Sequence, residues 1–182
     1  MTRQSITDLY RQIQQTVADG VALTVLSIGT QQTQVLTQTQ AGAQEEQSVQ
    51  TFDLPIGLEN LGPYTFKRFP PTPVETENAI MLVEDEIMPL AKKLPAHSRL
   101  FLIENAPTSL RAFNGDDNNF YVLEEVEQLF RRLAEVIEGS PVVSSGLPAN
   151  NAFATLVLIV REFMHHLKFE SITLWHNQPS AL

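Results

Sequence analysis

The hydrophobic period of this chain changes after Leu54, and that change limits the fold more than any other feature. Val21 to Ile28 is a near-continuous apolar run, as in a strand buried on both faces. Thr33 to Thr39 sets Val35 and Leu36 among polar residues, and Ser48 to Leu54 does the same with Val49, Thr51 and Phe52. The Gly29-Thr30-Gln31-Gln32 stretch and the glutamine-rich 40–47 stretch read as hairpin loops, so the three strands predict an antiparallel meander. Beyond it the apolar residues recur every three or four positions, which predicts helices.

Residues 6–19 form the first expected helix, with Ile6, Leu9, Tyr10, Ile13 and Val17 on one face and Gly20 as its stop. Glycines and prolines between Gly57 and Pro73 mark a long irregular connection. A helix follows over 76–94, with Ala79, Ile80, Val83, Ile87, Leu90 and Ala91 as its stripe and Pro89 as an expected kink. Arg99 to Ile103 reads as a buried strand, 108–113 as a short helix and 114–119 as a polar loop. Helices are predicted over 122–137 and 149–167, the second nearly apolar and hence well buried, and a strand over 171–175. The order implies a mixed five-stranded sheet covered by helices, an α/β class.

A chain of 182 residues fits one domain, and the expectation is a single unit over 1–182. Hydrophobic residues are 43% and charged residues 18%, enough apolar content for a core. There is no cysteine, which excludes disulfides and thiolate metal sites and suggests a reducing, cytoplasmic setting. The first residues do not read as a signal peptide, and no apolar run is long enough to span a bilayer. The net charge of −9, with 12 scattered basic residues, argues against nucleic-acid binding. It also argues against a polyanionic substrate, which gains from a positive cleft.

The element order is that of the RNase H-like unit of the actin-like ATPase superfamily, and local motifs narrow it. Leu26-Ser27-Ile28-Gly29-Thr30-Gln31-Gln32-Thr33-Gln34 stands where the exopolyphosphatase and guanosine pentaphosphate phosphohydrolase (Ppx/GppA) family has its D-I-G-G-G-S-T-E phosphate loop. Leu54-Pro55-Ile56-Gly57-Leu58-Glu59-Asn60-Leu61 resembles that family's S-L-P-x-G-x-x-x-L stretch. Arg99 to Phe113 resembles its strand, G-T-G-G-T turn and short helix. Gly146-Leu147-Pro148, the apolar helix and Ile172-Thr173-Leu174-Trp175 resemble its G-L-P-x-x-R-A-D helix and final strand. The chain thus resembles the second domain of that family over almost its whole length.

The resemblance implies a phosphate cradle in which small residues expose backbone amides and carboxylates hold a metal or water. Here the cradle is degenerate. Ser27 stands at the aspartate position, and only Gly29 remains of three glycines, with Thr30 and Gln31 at the others. Gln32 replaces the serine, Thr33 is kept, and Gln34 replaces the glutamate. In the second loop Leu102, Ile103, Glu104, Asn105 and Ala106 stand for G-T-G-G-T. Asn151 and Phe153 take the places of an arginine and an aspartate. The family's first domain, implied to supply the other phosphate loop and the catalytic glutamate, has no counterpart in these residues.

The expectation is therefore a protein inactive by itself that acts through a homodimer or a complex with a full-length relative. Two alternatives stay open: a residual phosphohydrolase on polyphosphate or guanosine pentaphosphate, and a phosphate or nucleotide sensor. No cofactor is expected, and Mg²⁺ enters only with the enzymatic alternative.

Other clusters read more plainly. Glu162, His165 and His166 lie within one helical turn, and Glu162 and His166 share a face, but the sequence offers no third metal ligand, so a polar edge on a buried helix is preferred. Asp116-Asp117-Asn118-Asn119 lacks calcium-loop spacing, and Ser144-Ser145-Gly146 is no nucleophile elbow. His97 and His176 read as surface residues, and Trp175 as core or sheet edge.

Overall fold

In a computed structural model, the structure describes residues 5–38, 48–103, 109–112 and 119–175. The meander is present: β1 (Leu23–Ile28), β2 (Thr33–Gln38) and β3 (Val49–Leu54) pair antiparallel in sequence order. β4 (Arg99–Ile103) lies parallel to β1, and β6 (Ser171–Trp175) parallel to β4.

Among the described residues the sheet has six strands, not five, in the order β3-β2-β1-β4-β6-β5. The addition is β5 (Phe120–Val122), antiparallel to β6. Three residues are too few to show a period of two, and Val122 had read as the start of a helix.

The helices follow the predicted stripes with shifted ends. α1 (Ile6–Thr16) is capped by the Ser5 side chain and stops three residues before its expected end. α2 (Pro73–Ile87) starts earlier than expected, because Thr72 and Glu75 form a capping box with Pro73 in the first turn. Thr72 Oγ1 accepts from the Glu75 amide at 3.2 Å, and the Glu75 carboxylate accepts from the Thr72 amide at 2.8 Å. Those bonds to Thr72 hold the Glu75 carboxyl below its ordinary range. Pro89 does not kink α2. The α-helix ends at Ile87 and a 3-10 segment, Met88–Lys92, carries the proline.

α3 (Leu123–Ile137), α4 (Val142–Ser145) and α5 (Asn151–Leu167) are the remaining α-helices among the described residues; α4 was not foreseen. Among the described residues the 3-10 turn Leu110–Ala112 stands within the helix expected over 108–113, whose first and last residues, like 114–118, lie outside the described part.

The two faces of the sheet are covered unequally. α2, α3 and α5 bury the larger cluster, with Phe153, Val157, Val160 and Phe163 of α5 fully enclosed against Leu26, Leu102 and Ile172. On the other face α1 is the one helix among the described residues that supplies cover, placing Leu9, Tyr10 and Ile13 on Leu23, Val25, Leu36, Phe101 and Ile103. Burial pushes the Tyr10 phenol up to about 12, so it stays neutral there. Trp175 packs edge-on to Phe101 at 6.4 Å on the α1 side. No helix among the described residues is long and apolar enough to cross a membrane.

Candidate functional site

Parallel strands bring their carboxyl ends to one edge, and in open α/β sheets that edge holds the ligand crevice. Ser27 of β1 stands level with Ile103 of β4, and Ile103 with Trp175 of β6. The carboxyl end of β1, which leads into the turn at 29–32, therefore lies beside the carboxyl end of β4. Glu104, Asn105 and Ala106 themselves lie outside the described residues.

The first segment is a four-residue turn between β1 and β2. The Gly29 amide donates to the Gln32 carbonyl at 2.9 Å and closes it. A Cβ on Gly29 would lie 3.0 Å from that carbonyl oxygen, tight enough to favour glycine. The carbonyls of the turn are then taken in succession by the segment after β3. Leu58 N–H donates to Gly29 O at 2.9 Å and Glu59 N–H to Thr30 O at 2.8 Å. Asn60 Nδ2 donates to Gln31 O at 2.9 Å.

Gly57 makes this approach possible. A Cβ there would come within 2.7 Å of Gln31 C, Gln32 N and Thr30 O, all backbone atoms. The glycine noted in the sequence is thus a contact point between two loops, which spacing alone could not reveal. The three carbonyls point into that contact, while the amides of Thr30, Gln31 and Gln32 donate to no protein acceptor among the described residues. Consecutive unpaired amides of this kind are the raw material of an anion-binding nest.

The side chains around the turn work against that use. Thr33, the residue kept from the resemblance, is buried and spends its proton on Ile56 O at 2.7 Å. Gln34 stands opposite Asp53 in the ladder, and its Nε2 donates to Asp53 Oδ1 at 2.8 Å. Ser27 faces Gln34 across β1 and β2, so the two positions at which the resembled phosphate loop has carboxylates are adjacent, and both residues are uncharged here. The carboxylates that do border the turn, Asp53 and Glu59, would repel an anion. Gln31 and Gln32 are exposed, as expected of a solvated hairpin.

The α5 N-terminus holds its first residues through hydrogen bonds and burial. Asn150 Oδ1 caps the helix by accepting from Phe153 N–H at 2.8 Å. Asn151 Nδ2 donates to Phe66 O at 3.0 Å, and the Phe153 side chain is fully buried.

A cavity of about 860 Å³ opens at the opposite edge, where β4 and β6 begin, lined by His97, Arg99, His166, Lys168 and Glu170 among others. It does not adjoin the turn at 29–32. His97 is in a loop with φ of 59°, as expected of a surface position; His176 lies outside the described residues.

No family model matches the sequence, and no curated protein matches it either. Solved structures do match in shape. The Ppx/GppA phosphatase of Aquifex aeolicus, in its type II variant, shares 15% identity at a TM-score of 0.66, over 92% of this chain and 57% of its own. An exopolyphosphatase from Cytophaga hutchinsonii shares 14% identity at a TM-score of 0.57, again over 92% of this chain and 57% of its own. An exopolyphosphatase-like protein shares 13% at 0.59, over 87% of this chain and 56% of its own. The chain thus has the fold of part of the Ppx/GppA phosphatases, an actin-like ATPase fold, and spans just over half the length of these structures.

Proposed function

We propose that this chain is an exopolyphosphatase-related protein, built like the second domain of that family, that does not catalyse phosphate release by itself and works through contact with another protein chain. The observation that carries this is the pairing of Ser27 with Gln34 at the head of the turn. A phosphohydrolase needs charge there to hold a metal or water, and Gln34 is instead tied to Asp53. Fold likeness alone does not supply an activity.

Association is supported by the thinly covered face of the sheet. Beyond the reach of α1, edge strand β5 leaves Phe120 49% and Val122 40% exposed. Apolar residues on an edge strand are a ready surface for a second copy. The expected result is a dimer by size-exclusion chromatography with light scattering at micromolar concentration, and no phosphate release from polyphosphate or guanosine pentaphosphate with Mg²⁺. Phe120→Lys should return the monomer. A strictly monomeric protein that also ignores a full-length relative refutes the association, and turnover of either substrate refutes the loss of catalysis.

One observation favours a second reading, an anion sensor at the turn: the unpaired amides of Thr30, Gln31 and Gln32. A ligand held there raises the melting temperature by mass action, roughly 2.7 kcal/mol at a hundredfold excess over its dissociation constant. Under this reading millimolar phosphate, pyrophosphate or a nucleotide stabilises the protein; no shift with any of them removes it.

A further inference from the structure

The sequence showed Glu162 and His166 on one face of a helix without a third partner. The structure supplies it from α2, which packs against α5. Glu84, Glu162 and His166 each offer one ligand atom, and these atoms lie within 4.8 Å of one another. His166 Nε2 is 2.9 Å from Glu84 Oε1 and 3.2 Å from Glu162 Oε2. Two ligands on one cation at about 2.1 Å, set at octahedral to tetrahedral angles, stand about 3.0–3.4 Å apart. His166 Nε2 stands at or near that spacing from both carboxylate oxygens, and the two carboxylate oxygens lie within 4.8 Å of each other.

A second observation points the same way. Glu162 is fully buried, and its Oε2 takes no hydrogen bond. One imidazole nitrogen cannot satisfy two carboxylates: an N–H given to Glu84 leaves Glu162 Oε2 without a donor. A carboxylate oxygen buried without a partner is costly and rare. A cation between the three atoms would use the imidazole lone pair and both carboxylates together.

Charge and surroundings agree. Arg161 pairs with Glu127 and Glu162, and Glu84 lies against His166, so the three carboxylates of the cluster share one guanidinium. Arg161 Nη1 holds Glu162 Oε1 at 2.5 Å, which fixes the carboxylate and turns Oε2 towards His166. His166 lies in the last turn of α5, where the helix dipole favours a cation. Glu84 and His166 are partly exposed, and His166 also lines the cavity, so an ion has a way in and room for water ligands. His165 is not part of the set; its Nδ1 faces Glu127 at 3.4 Å.

We propose that Glu84, Glu162 and His166 bind one divalent transition cation between α2 and α5. One imidazole with two carboxylates suits Zn²⁺, Co²⁺ or Mn²⁺ more than Ca²⁺, with affinity rising from Mn²⁺ through Co²⁺ to Zn²⁺. The site lies away from the turn at 29–32 and does not depend on how that turn is used.

The test uses tag-free protein stripped with chelator and titrated with Co²⁺, followed by its visible absorption and by thermal shift. The expected result is saturation at one equivalent, a raised melting temperature, and displacement of Co²⁺ by Zn²⁺. Glu84→Gln and His166→Gln, both at partly exposed positions, should fold and each weaken binding at least tenfold. The buried Glu162→Gln is a third variant, read only if its circular dichroism matches the parent. No saturable binding at millimolar Co²⁺, or binding that survives both of the first two substitutions, overturns the site.

Discussion

Gly57→Ala is expected to destabilise this protein by about 3 kcal/mol, far more than a glycine-to-alanine change in an open loop. The new methyl would stand 2.7 Å from three backbone atoms of residues 30–32, a distance that real Cβ atoms do not keep. No side chain can swing aside, because the obstacle is main chain. Relief comes only by parting the two loops, which breaks the bonds from Leu58 and Glu59 to Gly29 and Thr30. Each such bond is worth about 1 kcal/mol net, and forcing the overlap costs about 1–3 kcal/mol. Gly20 and Gly139 are the controls. Both have positive φ, 83° and 113°, but an added Cβ meets nothing within 4 Å. Alanine there carries only the backbone strain, about 1 kcal/mol. Urea unfolding of the three variants separates crowding from strain. A Gly57→Ala protein no less stable than the two controls would mean that the 57–60 segment does not seat on the turn. If the turn is an anion sensor, the same variant should also lose its thermal shift with phosphate.

That contact marks where sequence reading stops. The turn at Gly29 and the glycine at 57 were both legible, because tight turns demand small residues. What joins them was not: carbonyls of residues 29–31 meet donors of residues 58–60, and backbone bonds carry no residue signature. Strand and helix stripes were legible because burial imposes a period. β5 escaped because three residues carry too little of one. The early start of α2 had a visible signal, threonine then glutamate three positions on with proline between, hidden among the prolines that read as a loop. At the cation site, Glu162 and His166 share a helical face, but nothing along the chain marks Glu84 as their neighbour. Only the packing of α2 on α5 brings it there.

The packing of α3 on α5 makes Arg161→Ala the second substitution of large effect, with an expected loss of about 3 kcal/mol and a melting temperature lower by about 10 °C. Arg161 joins three groups. Its Nη1 is 2.5 Å from Glu162 Oε1, its Nε is 3.1 Å from Glu127 Oε1, and its guanidinium lies 5.1 Å from the Phe130 ring centre. Burial alone would lower its affinity for a proton; the bonds and charge of Glu162 and Glu127 outweigh that and raise it above the ordinary value. Truncation leaves a wholly buried carboxylate next to a second one without the guanidinium that both face, and that loss of compensation, more than the lost attraction, sets the size of the effect. The double variant Arg161→Met with Glu162→Leu removes both charges at similar volume and should recover most of the loss. Chemical denaturation of the single and double variants reads this directly. A single variant within 1 kcal/mol of the parent would mean that Glu162 reaches water or another donor. If a cation occupies the cluster, adding Zn²⁺ should restore part of the stability of Arg161→Ala and none of that of the double variant, because only the former keeps Glu162 as a ligand.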